Sequence, residues 1–243
     1  CLGRPDAAVV VCDATSLLRC MGLVLQICEV CPRTLVCVNL MDEAARKGMT
    51  INLELLSVRL GVPVCGTSAR DKKSLSHLAQ QLDLLCDGSF TPRIVRYATP
   101  IENALIGLEP IVRKTLGHEV DTRFLSLRLL EGDTALAEKL AQRRGYTALP
   151  QELCDAVEQA LSLLAAEDIT TDRLRDLIVG SIAHAAEEVC SGAVQCNNER
   201  HSESDRRADR ILTSRRAGYP VMLLLLMVVF WITIVGANYP SQW

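Results

Sequence analysis

The stretch Thr34-Leu-Val-Cys-Val-Asn39-Leu40-Met41-Asp42 (TLVCVNLMD) decides how this chain reads. From Thr34 to Asn39 it is Val-rich and apolar on both alternating faces, as a strand covered by helices on two sides must be, and a polar tetrad follows at once. Two further runs of the same kind flank it, Ala7–Cys12 before and Gly61–Gly66 after. Amphipathic stretches near Ser16–Glu29, Asn52–Leu60 and Lys72–Cys86 read as the helices that follow them. A short apolar run followed by an amphipathic stretch, repeated along the chain, predicts strands alternating with helices in a parallel α/β sheet.

Beyond residue 88 the pattern changes. The segment 88–100 is rich in Gly, Ser, Thr and Pro, and only helical spacing follows it up to residue 200, so a domain boundary is expected there. Leu105, Leu108, Val112 and Leu116 form one helical stripe, which Pro110 is expected to kink or break. Further helices are predicted over Thr122–Leu130, Thr134–Arg144, Gln151–Ala165 and Asp172–Cys190, with Gly132 closing one and Asp133 capping the next. No catalytic constellation stands out in this region.

The chain of 243 residues, 49% hydrophobic, is long enough for one large domain or two smaller ones. A formal net charge of -3, with basic residues clustered only near the C-terminal end, argues against a nucleic-acid surface. The eleven cysteines are scattered through apolar runs such as Val9–Cys12 and Leu35–Val38, which suits reduced, buried thiols better than a disulfide framework. Cys28 and Cys31 have the spacing of a redox or zinc pair, but no second pair lies at a matching distance. The chain opens at Cys1 without a cleavable signal peptide and stops at Trp243 just after an apolar run, so both ends are expected to be cuts in a longer protein.

Residues 201–217 read as a polar, basic linker, and the character then switches. Tyr219–Ala237 is an uncharged run of 19 residues, close to the ~20 that a helix needs to cross a bilayer. Arg206, Arg207, Arg210, Arg215 and Arg216 precede it and no positive charge follows, so residues before about 218 are expected on the cytoplasmic side. The expected organisation is therefore 1–87 for the α/β part, 88–200 for an all-α helical domain, 201–217 for the linker, 218–237 for a transmembrane helix, and 238–243 for the start of an extracytoplasmic segment.

The chemistry-bearing residues sit where ligands of open α/β sheets gather, at the carboxyl ends of strands. Asp42 can accept two hydrogen bonds from N1 and the exocyclic N2 of a guanine, which adenine cannot supply, and the Asn39 amide can tie the loop and touch the ring. By itself such an N-x-x-D tetrad is common by chance, and an Asn or Asp that ends a strand is more often just a turn or helix cap. It gains from Gly66-Thr67-Ser68-Ala69-Arg70 after the next strand, where the Ala69 N–H can donate to guanine O6 and the Ser68 hydroxyl can brace Asp42. Ser68 alone would pass for a helix N-cap, and Asp13, after the first strand, for a structural turn. No G-x-x-x-x-G-K-[ST] loop occurs, and no Asp-x-x-Gly precedes Ala7, so this piece is expected neither to hydrolyse GTP nor to bind it tightly.

These residues resemble the bacterial ferrous iron transport protein B family (FeoB). The resemblance runs through Asp13-Ala14-Thr15-x-Leu17, Leu25-Gln26, Asn39 to Asp42, Gly66 to Arg70, RFLSLRLLEGD from Arg123 to Asp133, and Asp209-Arg210-Ile211-Leu212-Thr213. It implies half of a P-loop GTPase-like G domain, with a parallel sheet, then a helical domain similar to a nucleotide-dissociation inhibitor and one transmembrane helix. Asn39, Leu40, Met41 and Asp42, with Ser68, Ala69 and Arg70, would hold the guanine of GTP or GDP. Leu40 agrees with a family habit of carrying a hydrophobic residue where most G proteins have Lys. The resemblance further implies Mg2+ in the complete protein, Fe2+ as the transported ion, the bacterial cytoplasmic membrane as location, small accessory iron-transport proteins as partners, and room for an oligomer. Leu18 and Cys20 replace a usual Glu and Asn, Phe124 replaces a usual Trp, and none of these touches the guanine contacts. The alternative is a membrane-anchored signalling or assembly GTPase with no transport role, and behind it a non-enzymatic membrane-tethered scaffold with decayed nucleotide motifs.

Overall fold

The computed structural model describes residues 6–68, 70–87, 90–117, 120–196, 214 and 218–238. Its first compact unit, 1–195, opens with strand β1 (Ala8–Asp13), helix α1 (Leu17–Val30) and strand β2 (Thr34–Asn39). A short helix α2 (Met41–Arg46), strand β3 (Met49–Ile51), helix α3 (Leu53–Leu60), strand β4 (Val64–Gly66) and helix α4 (Lys72–Asp87) follow. The sheet has order β1-β2-β4 and is parallel throughout, with Asp13 opposite Asn39 and Val38 opposite Gly66. All three carboxyl ends therefore finish at one edge.

β2 is buried from Thr34 to Val38, as a central strand should be. Val36 and Val38 face the main core with Val10, Cys12, Met21 and Leu56, while Leu35 and Cys37 pack with Cys65 and Leu85 under α4. β1 departs from the expectation of cover on both faces. Val10 and Cys12 are buried, but Val9 is 43% and Val11 64% exposed, because no described element lies over that half of the α4 face.

Local chemistry fixes the connections. The Asp13 carboxylate accepts from Thr15 N at 2.7 Å and Thr15 Oγ1 at 2.9 Å, and these bonds, the backbone one foremost, hold it below its ordinary pKa. It thus serves as the structural turn before α1. Asn52 Oδ1 accepts from Leu55 N at 2.9 Å to cap α3. Gly61 closes that helix at φ 70, where a Cβ would collide with the Thr91 carbonyl.

The helical region comprises α5 (Thr99–Leu116), α6 (Thr122–Leu130), α7 (Ala135–Arg143), α8 (Gln151–Ala166) and α9 (Thr171–Cys190). α5 is one continuous helix through Pro110, contrary to a break there. Its stripe Ile101, Leu105, Leu108, Val112 and Leu116 is fully buried, while Ile106 and Pro110 lie on the solvent side. Proline removes only the bond to the Ile106 carbonyl, which water can replace, and packing of the opposite face holds the helix together. Gly132 closes α6 at φ 84, and Asp133 Oδ1 accepts from Ala135 N at 3.2 Å at the start of α7.

After α9 the chain returns to the α/β layer. Strand β5 (Val194–Cys196), not expected from the sequence, pairs with β3, and Asn52 N donates to Ala193 O at 2.8 Å. Arg59 Nη1 on α3 donates to the carbonyls of Glu188 (2.8 Å) and Val189 (3.0 Å) at the end of α9, and also to that of Ser191. Those carbonyls have no helical partner, so the cation sits where both the dipole and the orphan acceptors favour it.

A salt-bridged cluster ties the connector to both parts. Arg123 donates to Glu102 at 2.8 and 2.9 Å and to Val95 O at 3.1 Å, and lies 5.5 Å from the Tyr97 ring centre. Glu29 at the end of α1 accepts from Val95 N at 3.1 Å. Burial pushes the Glu29 carboxyl above the ordinary range, against the pull of that N–H and of Arg123.

The second unit, 196–243, contains helix α10 (Gly218–Asn238). Side chains are described from Tyr219 to Thr233 and are exposed throughout. Among the described residues no helix is long and apolar enough to cross a membrane. The arginines at 206, 207, 210, 215 and 216 lie outside the described residues.

Candidate functional site

At the carboxyl edge of the sheet the loops after β2 and β4 are laced together. Thr67 N donates to Val38 O at 2.8 Å, which extends the β2–β4 ladder by one step, and Met41 N donates to Thr67 O at 3.2 Å. Between Asn39 and Met41 the chain turns through Leu40 at φ 63, a left-handed conformation that is uncommon outside glycine and typical of functional turns. The turn lets α2 begin at Met41, with Asp42 and Glu43 in its first turn, where the helix dipole favours anions.

Asp42 and Ser68 make a two-way contact. Ser68 Oγ donates to Asp42 Oδ1 at 3.1 Å, and Asp42 N donates to Ser68 Oγ at 3.2 Å. The hydroxyl's single proton and one lone pair are thereby used, and the carboxylate is fixed while staying exposed. Ser68 is held in turn by Ser74 Oγ, which accepts from Ser68 N at 3.2 Å and lies 3.0 Å from Ser68 O and 2.8 Å from Asp71 O. Gly66 is closely packed, since a Cβ there would lie 2.9 Å from Leu53 Cδ1 and 3.2 Å from Met41 Cγ, and both side chains would have to shift to admit it.

Of the residues named from the sequence, Asn39, Leu40, Met41, Asp42 and Ser68 come together at this edge, Arg70 is exposed beyond them, and Ala69 lies outside the described residues. Ser74, Thr67 and Cys37 complete the support and were not singled out from the sequence. Strand register could have found Cys37 and Thr67, since Cys37 faces Cys65 across β2 and β4 and Thr67 follows directly after β4; Ser74, in the first turn of α4, had no such signal. The assembly presents a braced, solvent-facing carboxylate suited to a ligand edge that carries two adjacent N–H donors.

Other features do not compete for this role. A cleft of about 870 Å3 opens between residues 92–96 and α9, away from the strand ends, and across it Arg93 is paired with Glu188. Cys28 and Cys31 are buried free thiols, and burial, its largest cause, pushes Cys28 up to about 12. Such a thiol is chemically quiet. Among the described residues no group of three His, Cys, Asp or Glu could hold a metal ion.

Comparison with known proteins agrees over both parts of the first unit. A family model described as ferrous iron transport protein B matches residues 1–82, and one described as the FeoB cytosolic helical domain matches residues 97–195. The Fe(2+) transport protein A/Fe(2+) transporter FeoB fusion protein of Porphyromonas gingivalis is 26% identical over 249 residues, covering 99% of this chain and 29% of its own length. The Fe(2+) transporter FeoB of Escherichia coli is 27% identical over 233 residues, covering 96% of this chain and 28% of its own length. The chain thus spans less than a third of these relatives. A crystal structure of an S. thermophilus NFeoB mutant bound to GDP has the same fold, with TM-score 0.65 and 23% identity over 80% of this chain and 71% of that one. The cytosolic domain of L. pneumophila FeoB gives a TM-score of 0.61 and 24% identity over 78% of this chain and 68% of that one. From the sheet edge to the returning helix α9, the chain belongs to the ferrous iron transport protein B family.

Proposed function

We propose that this chain supplies the base-recognising half of the G domain, the helical domain and the first membrane helix of a GTP-dependent Fe2+ transporter in the bacterial cytoplasmic membrane. The reciprocal Asp42–Ser68 contact at the ends of β2 and β4 carries this reading. Asp42 accepts from guanine N1 and N2, Asn39 supports the ring edge, the N–H of Ala69 donates to O6, and Leu40, Met41 and Arg70 border the base. Leu40 is partly exposed beside Asp42, the position of an apolar wall for a planar ring.

The phosphates and their Mg2+ call for a glycine-rich loop that this sequence does not contain, so guanine binding through this half alone is weak. Residues 1–87 form the G-domain part and 88–200 the helical domain. Residues 218–237 cross the bilayer from a cytoplasmic side marked by the five arginines of the 201–217 linker, and 238–243 begin the outer segment. Fe2+ is the cargo and moves through other membrane segments, because one helix cannot enclose a polar path.

The test is a base switch. In a complete transporter carrying this segment, Asp42→Asn turns a double acceptor into a mixed donor and acceptor, so preference should move from GTP toward XTP. An unchanged GTP/XTP ratio in competition binding would sink the assignment.

A further inference from the structure

Beneath the two loops a line of three side chains runs from the sheet interior to the site. Cys37 Sγ and Thr67 Oγ1 are 3.1 Å apart, and Thr67 Oγ1 donates to Asn39 Oδ1 at 3.3 Å. A hydroxyl carries one proton. Thr67 commits its proton to Asn39, so in the contact with Cys37 the thiol is the donor and the hydroxyl the acceptor. Both partners are buried, each 3% exposed, and water cannot replace either. The opposing Cys65 is held as a thiol, pushed up to about 12 by burial first and then by Cys37 beside it.

The direction of this relay has a consequence for Asn39. With Oδ1 turned toward Thr67, the NH2 on the other branch of the planar amide is left available, and among the described residues no hydrogen bond engages it. A free amide would be able to rotate and offer either group.

We propose that the buried thiol of Cys37 is a positioning residue of the base site: through Thr67 it fixes the Asn39 amide with its NH2 group toward the nucleotide. This rests on the guanine reading given above. A thiol suits the position because it packs as a small apolar group yet still donates one weak hydrogen bond.

The experiment is a double-mutant cycle in the full chain in detergent micelles, with GDP and IDP titrations followed by NMR and with the Asn39 side-chain amide signals observed before nucleotide is added. Cys37→Val removes the donor and replaces the sulfur by two methyl groups, a slightly larger apolar side chain. It should shift or broaden the Asn39 amide pair and weaken GDP about two- to fivefold, whereas Cys37→Ser restores both. In a Thr67→Val background the Cys37→Val change should add nothing, since the relay is already cut. Unaltered Asn39 signals in Cys37→Val, or an undiminished effect of that change on top of Thr67→Val, overturns the proposal. Asp42→Asn in the same titration separates the two ideas: if it fails to alter GDP over IDP preference the guanine reading fails, while the ligand-free Asn39 signals still report on the relay.

Discussion

Asp42, in the first turn of α2, and Ser68, in the loop after β4, lie 26 residues apart, yet each donates one hydrogen bond to the other, through the Asp42 N–H and the Ser68 hydroxyl. The pairing sets the carboxylate relative to the β4 loop without burying it. A charged group kept in water loses little by being fixed, and a ligand that finds it already oriented loses less on binding.

Ser68→Ala therefore removes the brace while leaving the fold intact. Guanine-nucleotide affinity should fall about fivefold, the value of one net hydrogen bond, with unfolding midpoints unchanged. Isothermal titration of a complete transporter carrying this segment, alongside urea unfolding, checks both halves. An equal loss for adenine nucleotides would place the effect outside base recognition.

Glu29 gives a pH signature. Its carboxyl is pushed up chiefly by burial, with Asp121 and Glu102 adding to the rise and Val95 N–H and Arg123 opposing it. A raised native pKa means that stability from this group is complete below the unfolded value of about 4.3 and is lost as pH rises through the native value. Glu29→Gln keeps the acceptor for Val95 N–H and removes the charge. The variant should match the parent near pH 4 and become progressively more stable than it toward about pH 8, as read by urea midpoints across that range. A gain confined to acid would reverse the sign and refute the argument.

Pro110→Ala restores a main-chain donor in the middle of α5 on its solvent face. With the buried stripe untouched, thermal unfolding should shift upward by the equivalent of about 1–3 kcal/mol. A loss of stability would mean that the ring itself packs on a neighbour.

How far these features could be read in advance depends on the length of each element. β2 and the helices α6, α8 and α9 carry enough periodic apolar residues to declare themselves, and Gly132 and Asp133 mark ends through chemistry visible in one dimension. β3 and β5 are three residues each and α2 only six, too short for either period to repeat, and they exist because tertiary pairing holds them. The Asp42–Ser68 brace could be anticipated because both residues sit at strand ends. The Cys37–Thr67–Asn39 line could not, since it follows from which residues of β2 and β4 stand opposite one another.

The pairing of β5 with β3, together with the Arg59 cap on α9, changes what counts as a separable piece of the molecule. The helices α5 to α9 are an excursion that leaves the α/β layer and comes home to it, with α9 packed against α1 and α3. A single cut between α4 and α5 would sever the covalent chain without parting its fragments, and the two halves could complement one another as a noncovalent pair.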